Sequence, residues 1–269
     1  MRLSVLWFAA VLASGALPLT AQWDDVPVKI PRLPDGRPNL SAPSPRMASG
    51  TPDLSGVWLY ASEVVEGDIT TPHDPNTDPF LNLAGKLPAG AVVMKPAAAA
   101  LFRQRSEGLG KDLPLSRCLP VGEPMSYTIP APTKIVQTQD VIVMLHEEVN
   151  SFRQIFLDGR KLPKDPVPTW VGYSVGHWEG DTLVVESSGF NDKTWLDGFG
   201  HPHTDAMQLT ERIRRTNAGR LDIQVTVNDP ASYEKPWTAS VELQLSSGEE
   251  PMEKVCLENE RDLVHLVGQ

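Results

Sequence analysis

The chain has 269 residues, of which 41% are hydrophobic and 22% charged, an ordinary globular composition long enough for one large domain. Its 25 prolines and 20 glycines argue against a helical bundle or a coiled coil. A formal charge of −10 repels phosphate backbones and anionic lipid, so neither nucleic acid nor a polybasic membrane contact is expected.

In chain order, residues 1–21 read as a secretory signal peptide. Arg2 precedes an apolar run from Leu3 to Leu12, Pro18 breaks it, and Ala21 offers a cleavage position. No later stretch approaches the ~20 apolar residues of a membrane-spanning helix. The mature protein is therefore expected to be exported, periplasmic or extracellular, with no membrane span. Residues 22–52 form a Pro-rich extended leader without hydrophobic periodicity, to which no core is assigned. No internal repeat is evident. The remainder, 53–269, reads as a single domain.

The segment 53–62 opens that domain as a strand. His73–Asp78 then shows the D-x-N-x-D spacing of a calcium loop, but Pro79 and Gly85 stand where an EF-hand needs Gly and Glu. A solvated loop is the expectation there. A short helix is predicted over 96–107, with Pro96 in its first turn, an alanine run and Gly108 as its stop. Strands are predicted at 133–139, 141–147, 151–158, 169–178, 181–187, 207–216, 221–227, 237–245 and 252–258. The cleanest are Leu221, Ile223, Val225 and Val227, then Trp237, Ala239, Val241, Leu243 and Leu245, each alternating with polar residues. About ten strands joined by short turns predict an all-β, antiparallel up-and-down meander, closed or nearly closed into a barrel, with one short helix. A two-sheet β-sandwich is the alternative. Cys118 and Cys256 form an even pair in an oxidising compartment, where a disulfide is the default.

Two resemblances follow from these residues. Gly56-Val57-Trp58, a G-x-W before a β meander, resembles the opening of lipocalin-like barrels. The second begins at Asp158-Gly159-Arg160 and runs on through Gly172-Tyr173-Ser174-Val175-Gly176-His177-Trp178-Glu179-Gly180-Asp181-Thr182-Leu183. With Gly189-Phe190-Asn191, Thr194-Trp195-Leu196-Asp197, Gly200-His201-Pro202-His203 and Thr210-Glu211-Arg212 it resembles a family of uncharacterised exported bacterial proteins. The resemblance covers residues 53 to 259. It implies a single exported domain and transfers no mechanism.

Several constellations could carry chemistry. Strand 207–216 sets Glu211 on the face of Met207, Leu209, Ile213 and Arg215, where an anion needs a partner and can serve as general acid or base. Strand 169–178 places Tyr173 and His177 together with Val171 and Val175 on the side expected to be dry. Gly172-Tyr173-Ser174-Val175-Gly176 matches G-x-S-x-G, but it sits inside a strand rather than at the strand-to-helix turn a serine nucleophile uses. The connection 188–206 carries Asn191, Trp195, Asp197, His201, His203 and Asp205, and is expected to form a lid over one barrel mouth.

The leading expectation is an exported barrel enclosing a small, partly apolar organic molecule, with cofactor-independent acid–base chemistry of a lyase, isomerase or non-serine hydrolase. Glu211, His177 and Tyr173 are the expected catalytic groups. Trp195, His201, His203, Asn191 and Asp197 are the expected ligand contacts. A non-catalytic carrier or envelope protein is the competing reading. Lesser alternatives are a divalent metal held by His201, His203 and Asp205, and a serine hydrolase using Ser174. No cofactor is expected and no protein partner is identifiable.

Overall fold

The computed structural model describes residues 30–60, 82–108, 110–148, 151–256 and 258. The expected signal peptide and the calcium-like spacing at 73–78 lie outside the described residues.

Nine strands close into a barrel in sequence order: β1 (Gly56–Tyr60), β2 (Thr133–Gln137), β3 (Val141–His146), β4 (Ser151–Phe156), β5 (Tyr173–Glu179), β6 (Thr182–Ser188), β7 (Gln208–Asn217), β8 (Arg220–Asn228) and β9 (Trp237–Ser246). Among the described residues the chain is all-β apart from one helix, α1 (Pro96–Glu107), and short 3-10 turns at 114–117 and 125–127. Alternation decides the long strands. Leu209 and Ile213 on β7, the four aliphatics of β8, and Trp237, Ala239, Val241, Leu243 and Leu245 on β9 all point into one continuous core, while their polar neighbours face out.

The barrel starts at a glycine for a steric reason. Gly56 has φ +147°, and an added Cβ would come 2.5 Å from Leu245 Cδ1 on the neighbouring strand. Trp58 is buried two residues on; its indole donates to the Leu54 carbonyl (3.0 Å), and the Arg215 guanidinium lies over its ring.

Four expectations need correction. The meander is not wholly antiparallel: β4 and β5 run parallel, paired only at Ile155–Ser174 and Phe156–Val175. The connection 157–172 is too long for a hairpin, so it carries the chain back and lets β5 set out in the direction of β4. Residues 252–256 are not a strand; they carry the Cys118–Cys256 disulfide (Cα–Cα 5.5 Å) and dock through the Met252 amide on Glu147 and Lys254 on Glu148.

The described part of the leader is not coreless, for Ile30 and Ala42 are buried. It also contains a repeat. The bridges Arg32–Pro38 and Arg46–Pro52 close two identical clips, in each of which the arginine donates to a positive-φ glycine's carbonyl, Gly36 (2.7 Å) and Gly50 (2.8 Å). The first clip caps the β7–β8 turn, where the Ala218 and Gly219 amides donate to Ala42 and Leu40 carbonyls (both 2.8 Å). The second delivers Leu54 to the barrel.

Candidate functional site

β7 presents Glu211 to the interior, as its alternation requires, and there it meets Arg153 from β4. All five guanidinium N–H groups of Arg153 are engaged. Nη1 donates to Glu211 Oε1 and to Tyr127 Oη (both 3.0 Å), and Nη2 to Glu211 Oε2 and Ser187 Oγ (2.9 Å to the hydroxyl). Nε donates to Ser174 Oγ (3.0 Å). Tyr127 donates to Glu211 Oε1 at 2.6 Å. Glu211 is thus held by a bidentate ion pair and a phenol, fully buried, with little capacity left for a substrate. Burial and the Glu211 charge push the Tyr127 phenol well up; burial alone would lower Arg153, but Glu211, Tyr127 and Glu123 together raise it.

Beside this pair lie two further buried groups. Glu123 takes a hydrogen bond from Ser126 Oγ, and its Oε1 stands 3.3 Å from His146 Nε2, off-line for a hydrogen bond. His146 Nδ1 is 3.0 Å from Thr133 Oγ1. Burial pushes the Glu123 carboxyl up, yet Arg153 and His146 outweigh it and hold it at about 2.

The structure corrects the expectation for β5. Ser174 and Gly176 face the interior, and Tyr173 and His177 face out. The reason is space: a Cβ on Gly176 would already meet Ile155 and Leu157 at 3.0 Å, and Ser174 is small enough to leave room for Arg153. His177 is exposed against Glu179 (3.4 Å), and the Tyr173 hydroxyl accepts from the surface Arg160 (3.1 Å). Neither is brought to Glu211. Ser174 bonds Arg153 and Ser187, with no histidine among its partners and no helix after it, so the nucleophile-elbow geometry is not built.

The connection between β6 and β7 holds the other expected residues, and it is packed rather than mobile cover. Trp195 is buried with Val121, Met125 and Ile129, while Arg105 of α1 lies over its ring at 4.7 Å. Asp197, fully buried, accepts from the amides of Leu83 (3.1 Å), Phe199 (3.1 Å) and His201 (3.3 Å), and from His201 Nδ1 at 2.6 Å. The i, i+4 spacing of Asp197 and His201 in a tight loop thereby builds a carboxylate–imidazole pair. His201 Nε2 has no hydrogen-bond partner among the described residues. Its ring sits 4.4 Å from Phe102 of α1 and 6.1 Å from Trp237, centroid to centroid.

His203 differs. Its Nδ1 donates to the Thr204 carbonyl (3.1 Å), leaving Nε2 to accept from Thr194 Oγ1. Burial lowers its pKa, so the neutral ring is favoured. With both nitrogens spent, and Asp205 exposed, the His201–His203–Asp205 set is not gathered for a metal; among the described residues no group of three potential ligands converges. Asn191 and Asp205 instead line a shallow concavity of about 520 Å³ with Trp170 and Lys193.

A tighter cavity of about 320 Å³ lies at the other end of β7, among Met47, Gly56, Ile135, Arg215 and Leu245. Arg215 there already donates to the carbonyls of Asp53, Ser55 and Ala218, and the cavity holds no carboxylate–imidazole pair. Chemistry and cavity are separated, and the chemistry is the better guide. Compared with known protein families, curated proteins and solved structures, the chain matches none.

Sequence reasoning missed Arg153, Tyr127, Glu123, His146, Phe102 and Arg105. On β4 the signal pointed the wrong way, because Phe152 and Phe156 alternate with Arg153 and look like the dry face; Phe152 is in fact 59% exposed.

Proposed function

We propose that the protein is an exported acid–base enzyme acting on a small, partly apolar organic molecule at the barrel mouth closed by α1. His201 is its proton-transfer group and Asp197 the residue that positions it. The observation that carries this reading is the Asp197–His201 pair with Nε2 left unspent. A buried carboxylate on Nδ1 fixes the tautomer, aims Nε2, and stabilises the imidazolium that forms when Nε2 takes a proton. Glu211, the base expected from the sequence, takes a structural part through Arg153. Export is supported by the disulfide.

The test is a turnover screen over small esters, lactones and ketones with acidic α-protons, comparing the wild-type chain with His201→Gln and Asp197→Asn, each checked for native circular dichroism. Turnover that falls ~100-fold or more in His201→Gln supports the enzyme, the usual worth of a positioned proton-transfer group. Turnover that survives His201→Gln unchanged sinks it. Ligand binding at His201 without turnover of any compound favours the carrier reading.

A further inference from the structure

A census of hydrogen-bonding capacity around His201 shows which kind of ligand the mouth lacks. The acceptors are consumed. Asp197 takes four hydrogen bonds, and Asp229 accepts from the Thr204 amide (2.6 Å), the Thr204 hydroxyl (3.0 Å) and the Ala231 amide (3.1 Å). The Tyr233 hydroxyl is spent on the Pro202 carbonyl (2.7 Å), and His203 has neither nitrogen free.

The donors are not consumed. Trp237 Nε1 is buried with no acceptor among the described residues, a costly arrangement for an indole N–H. Arg105 has no carboxylate within ion-pair distance among the described residues. Its one hydrogen bond there is a long contact to the Gly200 carbonyl (3.4 Å), and burial has lowered its pKa to about 10. Around these donors the walls are flat rings: Phe102 on His201, Tyr233 edge-on to Trp237 at 5.6 Å, and Trp195 under Arg105.

Resting on the reading of His201 as the mouth's reactive group, we infer that this site takes a small planar organic acid. Its carboxylate is received by Arg105 and the Trp237 indole, and its ring takes the place of Phe102 against His201. Access is by way of α1, which carries both Phe102 and Arg105 and has Ala98 as its one buried residue. An unspent guanidinium in a chain of net charge −10 also gives an anion a local reason to enter.

The experiment uses the full chain and three probes of one shape: benzoate, neutral benzamide and cationic benzylamine. Binding is followed by tryptophan fluorescence and by the imidazole resonances of His201 in NMR, assigned by their loss in His201→Gln. Benzoate is expected to bind at least 10-fold tighter than benzamide and to shift the His201 signals. Arg105→Gln should erase that preference, and Trp237→Phe should weaken benzoate 3-fold or more while leaving the fold intact. If benzamide or benzylamine shifts His201 as readily as benzoate does, the mouth site stands and the organic-acid class is overturned. Benzoate binding that leaves His201 untouched, or survives Arg105→Gln, overturns the inference, as does the absence of any benzoate binding. The screen described above is independent of these outcomes, so His201 chemistry can fail or hold separately.

Discussion

The side chain that does most to organise the interior is Arg153, and its energetics differ from those of His201. A guanidinium buried with five hydrogen bonds is tolerable because carboxylates answer its charge, Glu211 in direct contact and Glu123 at 3.8 Å. Glu211→Gln and Arg153→Met each break the buried pair, and each is expected to cost about 3–5 kcal/mol in urea unfolding, the second no less than the first because it leaves the Glu211 and Glu123 carboxylates without their cation. A catalytic role for Glu211 would instead show as lost turnover at unchanged stability. His203 gives a pH signature. Its folded pKa lies below its ordinary 6.5, so its contribution to stability is complete above 6.5 and is lost as pH falls below it. A melting temperature that declines as pH drops from 7 to 5, with the slope reduced in His203→Gln, is the expected result. Glu123 acts lower, its contribution fading between about 4.5 and about 2. Of these residues, Glu211 was legible because β7 alternates cleanly. Glu123 and His146 were not, since a carboxylate in an irregular segment and a histidine at a strand end carry no period that announces burial.

At the scale of elements, the long hairpins β7–β8–β9 were readable almost to the residue, because each has one dry face and one wet one. β5 was not. Its inward residues are Ser174 and Gly176, chosen for smallness, while an outward Tyr173 stacks on Phe156 at 5.2 Å and mimics a core residue. The helix α1 was predicted with its observed bounds, but its role was invisible, since nothing in an alanine-rich segment says that Phe102 will lie on an imidazole. Having one buried residue, α1 should open well before the barrel does. In native-state hydrogen exchange its amides are expected to exchange by local opening, far faster than those of β7 and β8. Equal protection of helix and strands would show that α1 is an integral wall rather than a cover. Gly56→Ala, forced to φ +147° against Leu245, should cost about 1–3 kcal/mol by thermal unfolding.

For the molecule as a whole, the disulfide closes a loop of 138 residues between the segment that precedes β2 and the tail that follows β9. Reduction, or Cys118→Ser with Cys256→Ser, is expected to lower stability by about 2–5 kcal/mol in denaturant titration without changing the β signal in circular dichroism. The fold class was legible from strand count and turn spacing. The two-clip leader was overlooked although the sequence repeats Pro-Arg-x-x-x-Gly-x-Pro-x-Leu at 31–40 and 45–54, because that repeat is one of turn residues and carries no hydrophobic period. The parallel β4–β5 joint has a mechanical consequence. It divides the barrel into two half-shells, β1–β4 and β5–β9, hinged at one seam by four residue pairs of β1 with β9 and at the other by only two. Arg153 grows from the first half-shell and grips Glu211, Ser174 and Ser187, all of the second. The buried charge is in effect a clasp across the weaker seam. Under a pulling force or partial denaturation the shell should part there first, and without the clasp the amides flanking Ile155 and Val175 should lose protection ahead of those across the β1–β9 seam.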